Sequence, residues 1–101
     1  MKYGLFGTLT AKVGKGDELL AILLEASQLV SKAKGCQIYA VAKEIENQDT
    51  IKVFEVWDTQ EDHDLSLQDE DVRALIGKAI PLLEGQPSSG IKLEIHGGKG
   101  V

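Results

Sequence analysis

From Thr50 to Trp57 the chain is apolar on both sides of a single strand. By the two-residue period, Ile51, Val53 and Trp57 point one way while Phe54 and Val56 point the other. One layer of helices covers only one face of a sheet, so such a strand needs a second cover. The simplest source is the same sheet of another copy, packed face to face in a homodimer. The strand ends on Trp57, the only tryptophan, and runs at once into the acidic helix start Asp58-Thr59-Gln60-Glu61-Asp62-His63. Glu55 shares Trp57's face, so a carboxylate, an indole and an imidazole gather at one strand-to-helix corner, where pockets are often built.

The remaining segments arrange themselves around that strand. Lys2 to Val13 alternates as a first strand, in which Gly4 and Gly7 mark a close backbone approach or a bulge. After the turn Gly14-Lys15-Gly16, apolar residues at Leu19, Leu20, Ile22, Leu23, Ala26, Leu29, Val30 and Ala33 predict an amphipathic helix. Asp17 and Glu18 fit its first turn, Lys32 and Lys34 its last, and Gly35 its C′ position. Cys36 to Glu46 is β-rich and joins Thr50–Trp57 through Asn47-Gln48-Asp49, an antiparallel hairpin. Thr59 to Leu83 reads as two or three short helices with Leu65, Val72, Leu75, Ile76, Ile80 and Leu83 as the apolar set. Residues 85–90 form a loop, Ile91 to His96 a closing strand and residues 97–101 a flexible tail. The order β-α-β-β-α-β is a ferredoxin-like α+β arrangement, expected as one domain over residues 1–101.

Composition and motifs narrow the function. A net charge of −5 without a lysine-rich stretch argues against nucleic acid and anionic membranes as partners. No apolar run reaches the ~20 residues of a membrane span, and the N-terminus reads as a strand, so the cytoplasm is the default. Cys36 is the sole cysteine, which leaves no intrachain disulfide and no cysteine metal site. Gly97-Gly98-Lys99-Gly100 lacks the following helix of a phosphate loop. A calcium loop begun at Asp58 would put His63 where glycine is needed and end on Asp69 rather than glutamate. His63 and His96 have no metal-ligand spacing, and neither a dinucleotide fingerprint nor a nucleophile elbow is present. An enzyme built on this chain is therefore expected to hold no metal, nicotinamide or flavin of its own.

Two readings of the Glu55, Trp57, His63 group stay open on the residues alone. In one, Trp57 is a core anchor, Glu55 a cross-strand ion-pair partner and His63 an exposed helix residue. In the other, Trp57 walls an apolar pocket shared by Glu55, and His63 exchanges a proton with a bound substrate, since histidine ordinarily titrates near neutrality.

The turn Gly14-Lys15-Gly16, the junction Lys34-Gly35-Cys36 with Tyr39 beyond it, the strand end Glu55-Val56-Trp57, then Asp58-Thr59 and Leu65 to Leu75, together resemble the antibiotic biosynthesis monooxygenase family. The resemblance implies a dimeric α+β barrel with a pocket between sheet and helices, and a cofactorless oxidation of a hydroquinone, polyphenol or polyketide-type aromatic by dioxygen. Trp57 matches the family's strand-end tryptophan. His63 falls where some members carry a tyrosine that handles the phenolic proton, and Tyr39, Glu55 and Ser66 are candidate polar lining. Two departures stand out: Ser66 and Asp71 occupy positions where many members carry histidine. The iron-binding histidine of the haem-degrading branch has no counterpart either. The alternatives on the same fold are a non-oxidative isomerase and a non-catalytic dimeric ligand-binding domain.

Overall fold

The structure, a computed structural model, describes residues 1–86 and 90–101. Its elements are β1 (Lys2–Thr10), α1 (Gly16–Val30), β2 (Cys36–Lys43), β3 (Thr50–Trp57), α2 (Gln60–Ser66), α3 (Glu70–Ala79), a 3-10 turn (Ile80–Leu82) and β4 (Ile91–Ile95). The strands form an antiparallel sheet in the order β2-β3-β1-β4. This is the ferredoxin-like α+β fold expected from the element order. The loop expected over residues 85–90 falls partly on residues 87–89, which lie outside the described residues.

Register decides which side chains meet. Tyr3 pairs with Trp57 and each step continues to Thr10 with Thr50, so Tyr3, Leu5, Gly7 and Leu9 share a face with Trp57, Glu55, Val53 and Ile51. That face takes the helices. The opposite face carries two apolar rows, Ile38-Val56-Gly4-Leu93 and Ala40-Phe54-Phe6-Ile91. Phe6 and Phe54 meet edge-on with centroids 6.4 Å apart, and Ile91 is left 61% exposed. Gly4 makes room for its neighbours here, since a β-carbon would lie 2.8 Å from Ile95 Cδ1 and push that side chain aside.

Helix α1 starts where the hairpin turn reaches it. The Asp49 carboxylate accepts hydrogen bonds from the backbone N–H of Gly14 at 3.2 Å and Gly16 at 3.0 Å, filling the role of an N-cap from a distant segment. Gly16 permits that approach, since a β-carbon would overlap the Gln48 carbonyl. The helix ends earlier than the sequence predicts. Val30 closes it, and Lys32 and Ala33 bond back only three residues, to Leu29 and Val30. Lys32 and Lys34 thus lie past the end, and Gly35 is a turn residue rather than a C′ cap. The reason is tertiary: Val30 is buried with Trp57, and the chain must reverse at once for Cys36 to pair with Trp57. Gly35 keeps its φ of +84° because a β-carbon there would overlap the Asp62 carboxylate.

The core is divided. Ala11, Leu19, Ile51, Ala79 and Leu83 pack at one end of the helix-covered face, and Val30, Trp57 and Val72 at the other. Between them lies open space. Among the described residues no helix is long and apolar enough to cross a membrane.

Candidate active site

A cavity of about 330 Å³ occupies the gap between the two clusters, floored by β1 and β3 and roofed by α1 and α3. Its volume is at the lower end of small-molecule pockets, which run roughly 300–1,000 Å³. Leu5, Leu9, Val53, Ile22, Ala26, Leu75 and Ile80 are among its apolar walls. Four of the residues singled out in the sequence, Tyr39, Glu55, His63 and Ser66, also line it. The structure brings them to one end: Tyr39 is the cross-strand partner of Glu55, His63 stands 3.8 Å from Glu55, and Ser66 follows one helical turn after His63.

Trp57, expected to wall the pocket, does not line it. It is fully buried one layer behind, packed with Val30 and Val72, and its indole N–H donates to Glu55 Oε1 at 3.0 Å. The side chain is therefore both core anchor and holder of the pocket carboxylate.

His63 is positioned by the start of α2. Thr59 caps that helix, its hydroxyl accepting from the Asp62 N–H at 3.0 Å, and one turn in the imidazole drops between two aromatic rings. Its centroid lies 5.7 Å from Trp57, edge-on, and 5.6 Å from Tyr3. Nδ1 is 3.0 Å from Asp64 Oδ1, so a proton on Nδ1 is donated to that carboxylate. Nε2 is then the free lone pair, and it lies 3.8 Å from Glu55 Oε1, too far for a hydrogen bond but close enough for charge to matter. Burial pushes the Glu55 carboxyl above the usual range, while the Trp57 N–H and His63 pull it partly back. Burial, and then the Glu55 charge, also push the Tyr39 phenol well up, so it remains a hydrogen-bond donor through neutral pH. Ser66 donates its hydroxyl to the His63 carbonyl at 2.6 Å and turns only acceptor lone pairs to other partners.

Sequence reading missed Asp64, which accepts from Nδ1 of the imidazole, and Tyr3, whose ring packs against it at a 49° tilt. Tyr3 was recoverable from the β1–β3 register; Asp64 carries no signal beyond its adjacency to His63. Asp71, at the second family histidine position, is exposed and contributes its N–H to the Asp69 cap of α3, so it has no place in the cavity. Among the described residues, no three histidine, cysteine or carboxylate side chains gather as a metal site would require.

A ferredoxin-like sheet that reserves an apolar cavity under its helices, with acid–base groups at one end, defines a class of small pocket proteins. The sequence model of the antibiotic biosynthesis monooxygenase family matches residues 3–78, and the chain belongs to that family. A solved protein of Chloroflexus aurantiacus J-10-fl named after the same family is 35% identical, with 97% of this chain and 96% of that one covered and a TM-score of 0.86. A Nitrosomonas europaea protein is 26% identical over 97% of this chain and 92% of its own, with a TM-score of 0.81. SnoaB of Streptomyces nogalater, a cofactor-independent oxygenase, shares the fold at a TM-score of 0.80 and 9% identity, covering 97% of this chain and 96% of its own. Among curated proteins none matches.

Proposed function

We propose that the protein is a cofactor-independent monooxygenase that oxidises a hydroquinone or related polyphenolic or polyketide-type molecule with dioxygen, working as a homodimer. The observation that carries this reading is an apolar cavity whose acid–base groups sit together at one end, with His63 Nε2 3.8 Å from Glu55 Oε1 and Nδ1 engaged by Asp64. A phenol lying along the cavity with its hydroxyl at that end gives its proton to Nε2. Glu55 and Asp64 then flank the imidazolium with negative charge, which favours the transfer. The phenolate left in an apolar, water-poor site is a strong one-electron donor to dioxygen. Recombination of the substrate radical with superoxide forms a ring-carbon hydroperoxide; loss of the proton on that carbon then breaks the O–O bond, the outer oxygen leaves as water, and the quinol ends as a hydroxyquinone. All four electrons come from the substrate, so no reductant or bound cofactor is needed for the balance.

The homodimer completes the other side of the sheet. The rows Ile38-Val56-Gly4-Leu93 and Ala40-Phe54-Phe6-Ile91 carry no helix, and a twin's face would cover them. An isomerase acting on sugar-derived molecules fits less well, because such a ligand needs more polar walls than this cavity offers. A non-catalytic ligand-binding domain is favoured by one observation, that the cavity-lining family histidine position is Ser66.

The test is oxygen uptake by metal-stripped protein against a panel of hydroquinones, with His63→Ala beside the wild type. Uptake above autoxidation, reduced about 100-fold or more in the variant with its far-ultraviolet circular dichroism retained at the assay temperature, is the expected result for loss of a general base. Autoxidation rates throughout, or full activity in His63→Ala, would overturn the proposal.

A further inference from the structure

Gly7 is a glycine that the backbone does not need. A strand carries glycine for a left-handed φ, for a close approach or for a bulge. Gly7 is not among the positive-φ residues, and the β1–β3 register runs unbroken through its pairing with Val53. A β-carbon on Gly7 would meet no described atom within 4 Å, whereas on Gly4 of the same strand it would lie 2.8 Å from Ile95 Cδ1. Glycine weakens a strand interior, so its presence here calls for another cause. Gly7 lines the cavity, and it is the only glycine among the described strand residues that do.

Its place along the floor gives the cause. Leu5 pairs with Glu55, Gly7 with Val53 and Leu9 with Ile51. The bare patch thus lies one pleat, about 6.6–6.8 Å, from the level of Glu55 and His63. A single aromatic ring hydrogen-bonded at the Glu55–His63 end brings only its far edge, roughly 7 Å from His63 Nε2, to that level, whereas a second ring fused further along the direction of the C–O bond, as in 2-naphthol, lies over it.

We propose that Gly7 determines ligand size: the missing side chain leaves a slot over β1 for the second ring of a planar fused-ring ligand whose oxygen-bearing end sits at Glu55 and His63. The orientation of the ligand rests on the oxygenase reading, while the slot rests on Gly7 itself. Any side chain at this position projects into the space the second ring would fill. Leu5 and Leu9 on either side already present side chains, so a ligand lying on the sheet is flattest at Gly7.

Gly7→Ala and Gly7→Val test this by the binding of 2-naphthol and of phenol under nitrogen, followed calorimetrically. In parallel, oxygen uptake is measured with 2,6-dihydroxynaphthalene and with benzene-1,4-diol. Wild type is expected to prefer naphthol. Each added methyl-sized increment in an apolar pocket changes discrimination by about tenfold or more, so naphthol binding falls stepwise from Ala to Val while phenol binding holds within about twofold. Gly7→Ala is expected to melt no lower than wild type, and retained phenol binding shows that Gly7→Val is folded. A wild type that prefers phenol, equal losses for both ligands, or no change in either would overturn the proposal. Loss of the naphthol preference without oxygen uptake in any form would sink the oxygenase reading and leave the slot standing. Uptake with an unchanged ligand ratio would sink the slot alone.

Discussion

Trp57→Phe separates the two jobs of the indole. The ring is fully buried against Val30 and Val72, and its N–H donates to Glu55 Oε1 at 3.0 Å. A phenyl ring keeps most of the packing and removes only the donor and the outer part of the bicycle. A hydrogen bond to a charged group contributes about 1.5–3 kcal/mol. The smaller ring loses roughly 1–2 kcal/mol more in packing, by analogy with modest large-to-small core changes. The variant should therefore be about 2.5–5 kcal/mol less stable, a large share of a total of about 5–15 kcal/mol. Urea melts at pH 7 measure this, followed by far-ultraviolet circular dichroism because Trp57 is the only tryptophan and its fluorescence is lost. The decisive comparison repeats the substitution in a Glu55→Leu background. There the indole has no carboxylate to hold, and Trp57→Phe should cost only the packing share of about 1–2 kcal/mol. Equal costs in the two backgrounds would refute the assignment of Trp57 as the holder of Glu55.

Three further outcomes follow from the same geometry. Burial raises the folded pKa of Glu55 above its unfolded value, so the ionised side chain costs stability that appears as pH rises from the ordinary carboxyl range, about 4.3, through the folded pKa. Glu55→Gln should thus gain melting temperature over wild type at pH 7 relative to pH 4, and a pH-independent difference would contradict it. Gly35→Ala forces a β-carbon into a left-handed turn and onto the Asp62 carboxylate, so its urea midpoint should fall by an amount equivalent to about 2–4 kcal/mol. Gly77→Ala, on the exposed side of α3 with open space at its β-carbon, should instead stabilise by about 0.5–1 kcal/mol.

What was legible in the sequence follows the range of the forces involved. Thr50–Trp57 is predictable to the residue because period-two apolarity runs between two polar turns, and both signals are local. The break of the last helical region into α2, α3 and a 3-10 turn is local too, since Asp69 caps α3 through its own side chain. The end of α1 was misplaced because Lys32, Lys34 and Gly35 imitate a helix terminus, while the actual stop is set by Val30 packing on Trp57. At the site, strand period puts Glu55 on the face of Trp57, while Tyr39 and Ser66 come from the family resemblance and helical spacing does not fix which way His63 points. Periodicity does not reveal whether an apolar face meets a neighbour or an empty space. Ile22, Ala26 and Leu75 look like core residues in sequence and border a cavity in the fold. For the same reason Trp57 was expected in the pocket wall, whereas the fold buries it against Val30 and Val72, outside the cavity lining.

In the proposed reaction His63 takes the phenolic proton at the Glu55 end of the cavity. Nitrogen-15 NMR of the imidazoles under nitrogen, before and after addition of 1,4-dihydroxynaphthalene, tests it most directly. The protein has two histidines, and exposed His96 serves as an internal reference. At pH 7.5 the Nε2 resonance of His63 should move to the imidazolium position on binding while that of His96 stays in place. A His63 resonance unchanged at saturating ligand would contradict it.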